Sequence, residues 1–253
     1  LHDMFFQSAE RMGRAAIADF MGRKYSYANM ADTVRRVARG LQDKGIGKGD
    51  QVGLFLPNVP HYIAAYYGPL AAGATVVNFS PLYTVDELAH QVADSGTSIL
   101  FTVSAAALLP TAIKVLDNSS LKELIVGSVA EALPKAKSWA YRLLKRSDVA
   151  AIPNDSRITD YSTLIANNGD YAVQPCTPEK DIAQLQYTGG TTGTPKGAML
   201  SHQNITANAR QINMLDPHSH VNEPNRPSDD RILGVLPFFH VFANATVLNR
   251  TVA

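Results

Sequence analysis

Between Asp50 and Ser128 the chain alternates short apolar, often β-branched runs with longer stretches of helical periodicity. That alternation narrows the fold more than any other feature. "DQVGLFLP" reads as a strand closed by Pro57. It is followed by a helix from His61, a strand "ATVVNFS", a helix "TVDELAHQVADSG" capped by Thr84, and a strand "TSILFTV". A helix "AAALLPTAIKVLD" and a strand "LKELIVGS" continue the series. Strands separated by helices predict an α/β fold with a parallel sheet and helices on both faces. Upstream, "AIADFMGRKYSY" predicts a hairpin with Gly22 in its turn. A helix capped by Ser26 follows, with Val34, Val37 and Leu41 at helical spacing and Gly45 as its stop.

The stretch from Gln51 to Val85 contains no Asp, Glu, Lys or Arg, which raises the question of a membrane span. Gly68, Pro69, Gly73 and Asn78 interrupt it, so a buried helix and a buried strand are the better reading. The N-terminal "LHDMFFQSAERMGRAAIADF" is amphipathic and of mixed charge, without a signal-peptide pattern. A net charge of +1 argues against nucleic acid as a partner held by bulk charge. The single cysteine, Cys176, can form no internal disulfide or cysteine cluster, and the expected setting is a reducing cytoplasm.

The rhythm breaks from about Val129 to Pro178, a polar stretch read as a long surface excursion. Inside it, "PKAKSWAYRLLKR" sets Ala136, Trp139, Ala140, Leu143 and Leu144 on one helical stripe, with Lys137, Arg142, Lys145 and Arg146 off it. The plainer reading is a helix docked on its own domain with a solvated basic face. The other is peripheral contact with an anionic membrane surface.

The βα rhythm returns at "DIAQLQYT", and "GGTTGTPKG" follows directly. Gly189, Gly190 and Gly193 let backbone N–H groups converge with no Cβ in the way. Thr188, Thr191, Thr192 and Thr194 add hydroxyl donors, Pro195 stiffens the exit, and Lys196 supplies a mobile positive charge. Such a nest suits the β- and γ-phosphates of a nucleotide. It is not G-x-x-x-x-G-K-[ST], because Lys196 stands between Pro195 and Gly197. Nor is it G-x-G-x-x-G, because Gly189 and Gly190 are adjacent. A plain flexible surface loop would not need this unbroken string between buried strands. The strand "GAMLSH", a helix from about Asn204 to Met214, a polar loop with His218 and His220, and a buried strand "RILGVLP" are expected next. His202 and Asn204 read as structural, with a helix cap at Ser201 or Asn204, and His218 and His220 as a polar loop pair rather than a metal site.

"LQYTGGTTGTPKG" closely resembles the signature of the adenylate-forming enzymes, which include acyl-CoA synthetases, luciferases and the adenylation domains of peptide synthetases. The resemblance runs from "FMGRKYSYANM" to "PFFHVFA". The "QYTGGTTG" variant, "NFSPLYT" and the basic "PKAKSWAYRLLKR" are most similar to bacterial long-chain fatty acid–CoA ligases. The resemblance implies that ATP, with Mg2+, activates a fatty acid to an acyl-adenylate, and that the thiol of coenzyme A then takes the acyl group. It implies that Thr188 to Gly193 and Lys196 hold the departing pyrophosphate. It also implies a catalytic His240 between acyl group and phosphate, with Phe238, Phe239 and Phe242 lining an acyl site. From the residues alone, a lone histidine among phenylalanines is more often packing.

The family's Tyr-Gly-x-Thr-Glu segment, its ribose-binding aspartate and its lysine-bearing C-terminal domain are not found in these 253 residues. The expectation is therefore the N-terminal part of such a ligase, inactive by itself. Residues of about 46–215 would form one αβα subdomain, and 1–45 and 231–253 pieces of a second, incomplete one. Those ends are expected to be poorly supported, or re-paired with another copy in a homodimer. The alternatives are adenylation of an aryl or amino acid, and a non-enzymatic nucleotide-binding module.

Overall fold

In the computed structural model of the protein, residues 1–188, 195–216 and 231–253 are described. An N-terminal helix α1 (His2–Met12) leads into the antiparallel hairpin β1 (Ala16–Phe20) and β2 (Arg23–Ser26). Met21 and Gly22 take positive φ at its tip, as a two-residue turn requires. The Ser26 hydroxyl accepts from the Asn29 amide and starts α2 (Tyr27–Asp43). From there strands and helices alternate: β3 (Gln51–Leu54), α3 (Pro60–Ala72), β4 (Thr75–Asn78), α4 (Val85–Ser95), β5 (Thr97–Val103), α5 (Leu109–Asn118) and β6 (Glu123–Gly127). Thr84 and Glu87 form a full capping box at the start of α4.

These strands build a seven-stranded sheet of order β7-β6-β5-β3-β4-β8-β9, completed by β7 (Ile158–Asp160), β8 (Ile182–Thr188) and β9 (Lys196–Ser201). All neighbours are parallel except β8 and β9, which form an antiparallel hairpin. The chain steps from β3 outward to β4, then back past β3 to β5. With right-handed crossovers, that reversal places α3 on one face and α4 and α5 on the other. α3 is buried along its length between the sheet and α2. The helices approach so closely that a Cβ on Gly68 would lie 2.4 Å from Val37 Cγ1.

Three expectations change. The excursion after β6 carries more than the expected basic helix, α7 (Lys135–Leu144). It also holds the short helices α6 (Val129–Ala132) and α8 (Tyr161–Leu164), and β7, which pairs with β6 as an edge strand. A three-residue strand is too short to show alternation in sequence. Second, Arg231–Pro237 forms no strand: Leu233 and Val235 are exposed, and no strand lies beside them among the described residues. Asn58 bonds the Gly234 and Leu236 carbonyls in place of a neighbouring strand. Third, both ends are supported within one copy. The Ser8 hydroxyl donates to the Val252 carbonyl at 2.8 Å and the Tyr27 hydroxyl to that of Thr251 at 2.9 Å. Phe5 and Val252 are buried in the common core. The homodimer expectation thereby loses its stated cause.

The long apolar stretch is α3 and β4, and among the described residues no helix is long and apolar enough to cross a membrane. The chain closes with α9 (His202–Leu215), α10 (Val241–Ala243) and irregular helical turns from Asn244 to Val252. Ser201 and Asn204 cap α9 reciprocally, and His202 is buried beside them.

Gly68→Ala forces Val37 aside and is expected to cost about 1–3 kcal/mol in urea unfolding. An unchanged midpoint would show that α2 and α3 have slack. His61, at the start of α3 against Tyr161 and Gly127, titrates at about 4, because burial and then the Arg23 charge disfavour its imidazolium. The unfolded chain binds that proton at about 6.5. This contribution to stability is thus whole above pH 6.5 and lost as pH falls toward 4. His61→Gln is expected to reduce proton uptake on unfolding at pH 5 by about one, measured from the pH slope of unfolding free energy.

Candidate functional site

The candidate residues gather at the carboxyl ends of β3, β4 and β8, where the strand order reverses and α/β sheets place their ligand crevices. β8 ends at Thr188, whose register partner on β9 is Lys196. β8 and β9 are thus paired antiparallel up to the two residues that bracket the glycine-threonine string. Thr188 and Lys196 flank its base, both exposed. Gly189, Gly190, Thr191, Thr192, Gly193 and Thr194 lie outside the described residues, as do His218 and His220. A threonine hydroxyl and a lysine ammonium at this base offer hydrogen-bond donors and positive charge, which suit an oxyanion.

His240 stands on a second loop. Its Nδ1 accepts from the Phe242 amide at 3.3 Å and caps α10. In the neutral ring that bond places the proton on Nε2, and the side chain is exposed. Phe242 is also exposed, whereas the Phe238 ring packs edge-on against Tyr62 at 5.5 Å. Phe238 thus anchors the loop, and Phe242 is free to meet a ligand.

Sequence reasoning missed what holds the two loops together. The Gln186 amide, two residues before Thr188, donates to the Phe239 carbonyl at 3.1 Å. This bond ties the end of β8 to the residue preceding His240. The Tyr62 hydroxyl lies 2.9 Å from the Phe238 carbonyl and 2.7 Å from Asn78 Oδ1. Asn58, just past β3, donates to the Gly234 and Leu236 carbonyls at 2.9 and 2.8 Å and accepts from the Phe238 amide at 2.8 Å. Behind this layer, Gln184 Nε2 donates to Gln186 Oε1 at 2.8 Å, and the Tyr66 hydroxyl donates to Gln184 Oε1 at 2.8 Å. The Tyr67 hydroxyl donates to Asn249 Oδ1 at 2.9 Å. Burial holds the three tyrosine hydroxyls well above the usual phenol range, so they act as neutral bonding groups. The signal available in sequence was polar residues where apolar ones belong: Gln184 and Gln186 in a buried strand, and Tyr62, Tyr66 and Tyr67 in a buried helix.

Other candidates lie apart. Cavities of about 330 and 390 Å³ open elsewhere, one beside Arg11 and Arg210, the other beside Lys48, Cys176 and His202. Cys176 is partly buried, which pushes its thiol up and leaves it a weak nucleophile. Tyr187 reaches Asp94 Oδ2 at 2.5 Å and braces β8 against α4.

The chain matches the family model described as "AMP-binding enzyme" over residues 5–252. It is 34% identical over 257 residues to a long-chain-fatty-acid–CoA ligase of Bacillus subtilis (strain 168), covering 100% of this chain and 44% of that protein. It is 36% identical over 248 residues to one from Escherichia coli O6:H1, covering 96% of this chain and 43% of the relative. Among solved structures, the long-chain-fatty-acid-CoA ligase FadD1 of Archaeoglobus fulgidus superposes with a TM-score of 0.74 at 24% identity, over 99% of this chain and 44% of that one. The chain thus spans less than half the length of the curated relatives it matches.

Asn58→Ala removes one acceptor and two donations from the 234–238 loop. It is expected to cost about 1–2 kcal/mol and to speed hydrogen exchange at the Phe238 amide. An unchanged exchange rate would mean that Asn58 does not hold the loop.

Proposed function

Because this chain belongs to the AMP-binding enzyme family, we propose that it supplies the phosphate-holding half of a long-chain fatty acid–CoA ligase. The observation that carries the proposal is the bond from Gln186 to the Phe239 carbonyl. It joins the end of β8, two residues before Thr188, to the loop bearing His240.

In this reading the carboxylate of a long-chain fatty acid attacks the α-phosphorus of ATP. Thr188 to Thr194 and Lys196 neutralise the pyrophosphate as it leaves. Coenzyme A then attacks the acyl carbon of the adenylate and AMP departs. His240, with its free Nε2–H, orients the acyl or phosphoryl oxygen between the two steps, and Phe242 offers apolar surface to the acyl chain. Thr188 and Lys196 are donors and fit phosphate oxygens rather than a cation, and among the described residues no three His, Cys, Asp or Glu gather for a metal. Mg2+ therefore enters the proposal with the nucleotide, and no step is routed through it. The proposal includes a cytoplasmic setting, and a large domain in which 46–215 form one subdomain while 1–45 and 231–253 belong to a second. Adenylation of an aryl or amino acid is the second reading, since the described part of the acyl site fixes no chain length.

ATP–pyrophosphate exchange in a full-length ligase carrying this chain, measured across fatty, aryl and amino acids, tests the reading. Long-chain fatty acids are expected to support exchange best, and an aryl or amino acid preference would replace this reading with the second. Lys196→Ala is expected to slow exchange by about 10²–10³-fold. Normal exchange in that variant would remove Lys196 from pyrophosphate stabilisation.

A further inference from the structure

Helix α7 does not dock its apolar stripe on its own domain, contrary to the plainer sequence reading. Trp139 is 70%, Leu143 53% and Leu144 77% exposed, and no residue of the helix is buried. This is the opposite of what a surface helix normally does with such a face. The helix is nevertheless held firmly at both ends. Before it, the Tyr25 hydroxyl donates to the Ala132 carbonyl at 2.8 Å, and at its first turn Lys137 Nζ donates to the Met21 carbonyl at 2.7 Å. After it, the Ala106 amide donates to the Asp148 carbonyl at 2.9 Å, and the Ala150 amide to that of Ser104 at 3.1 Å. A pinned helix thus presents a Trp-Leu-Leu ridge outward. Beside it the hairpin tip presents Met21, itself 60% exposed.

The charge around the ridge says what can cover it. Residues 135–146 hold five cations and no anion: Lys135, Lys137, Arg142, Lys145 and Arg146. Counting the flanking Glu131 and Asp148 against them leaves a local +3 in a chain of net +1. The two ion pairs those acids make, with Arg142 and Lys145, are both 3.7 Å long and exposed, so they hold the cations loosely. By helical period, Lys137 stands about a quarter-turn to one side of the ridge, with Lys135 and Arg142 on the other. Apolar side chains flanked by long basic ones match an interface where acyl chains lie below a negatively charged surface. A second copy would bring +3 against +3. A nucleic acid would meet the cations but leave Trp139, Leu143 and Leu144 in water.

We infer that α7, with the tip of the β1–β2 hairpin, is a docking surface for an anionic lipid bilayer. The helix lies in the headgroup plane, with Trp139, Leu143 and Leu144 inserted and Lys135, Arg142 and Arg146 at the phosphates. This inference does not depend on the ligase reading.

Trp139 is the sole tryptophan of the chain, so its fluorescence reports on this helix alone. In the free protein its emission is expected at the position of a water-exposed indole. Phosphatidylglycerol vesicles are expected to shift it to the blue, and lipids brominated along the acyl chain to quench it. Neutral phosphatidylcholine vesicles should bind far more weakly. High salt should reverse the effect, since the screening length drops to about 3 Å at 1 M. Leu143→Asp with Leu144→Asp, and separately Arg142→Glu with Arg146→Glu, alter exposed positions. Each pair is expected to lower partitioning by at least about tenfold, with an unchanged circular dichroism spectrum. Emission already blue in the free protein, or shifting with protein concentration rather than with lipid, would assign the ridge to another chain segment or a second copy. Either result overturns the inference, as would an equal response to neutral vesicles.

Discussion

Polar groups placed inside an apolar layer must find one another, and in this protein that requirement fixes how its parts meet. Tyr62, Tyr66 and Tyr67 project from a buried helix. Asn78, Gln184 and Gln186 lie on adjacent strands, and Asn244 and Asn249 on the last helical turns. A buried hydroxyl or amide without a partner costs on the order of 1–3 kcal/mol, so each member of this network is held by the next. The Tyr66 hydroxyl is within reach of both Gln184 Oε1 and Asn244 Oδ1, which joins the middle of the sheet to the C-terminal turns. A shift of α3 by one turn, or of β8 by one residue, would strand several of these groups at once. The network therefore sets register as much as it adds stability.

The same network carries the candidate site. Its outer members, Asn58, Tyr62 and Gln186, bond the backbone of 234–239 rather than any functional side chain. A loop that forms no ladder with a neighbouring strand is thereby kept in one place, and His240 with it. Thr188 and Lys196 need no such brace, because the antiparallel β8–β9 pairing sets them opposite each other. Two ways of fixing a loop thus converge at the carboxyl end of one sheet. The chemistry they offer is donation and positive charge toward an anion.

Helix α7 shows the reverse arrangement. There the helix is tied at both ends while Trp139, Leu143 and Leu144 stay exposed. The sheet edge explains how this arises. β7 is the last strand beyond β6, and around α7 the segment linking the two is held by the hairpin tip and the 104–106 turn.

The sequence by itself determined the alternating elements, the caps at Ser26 and Thr84, the hairpin at Gly22 and the donor-rich string after Thr188. Each of these depends on residues within one or two turns of one another. The family resemblance, too, rests on one continuous string. What the tertiary structure decided depends on residues far apart in the chain. Strand order and the short edge strand β7 follow from pairing across more than thirty residues. That "RILGVLP" is no strand follows from the absence of a pairing strand among the described residues, whatever its local propensity. The link from Gln186 to the loop of His240 spans 53 residues. The exposure of Trp139 could not be read from its helical period, because periodicity identifies an apolar face and only the surrounding fold decides whether anything lies against it.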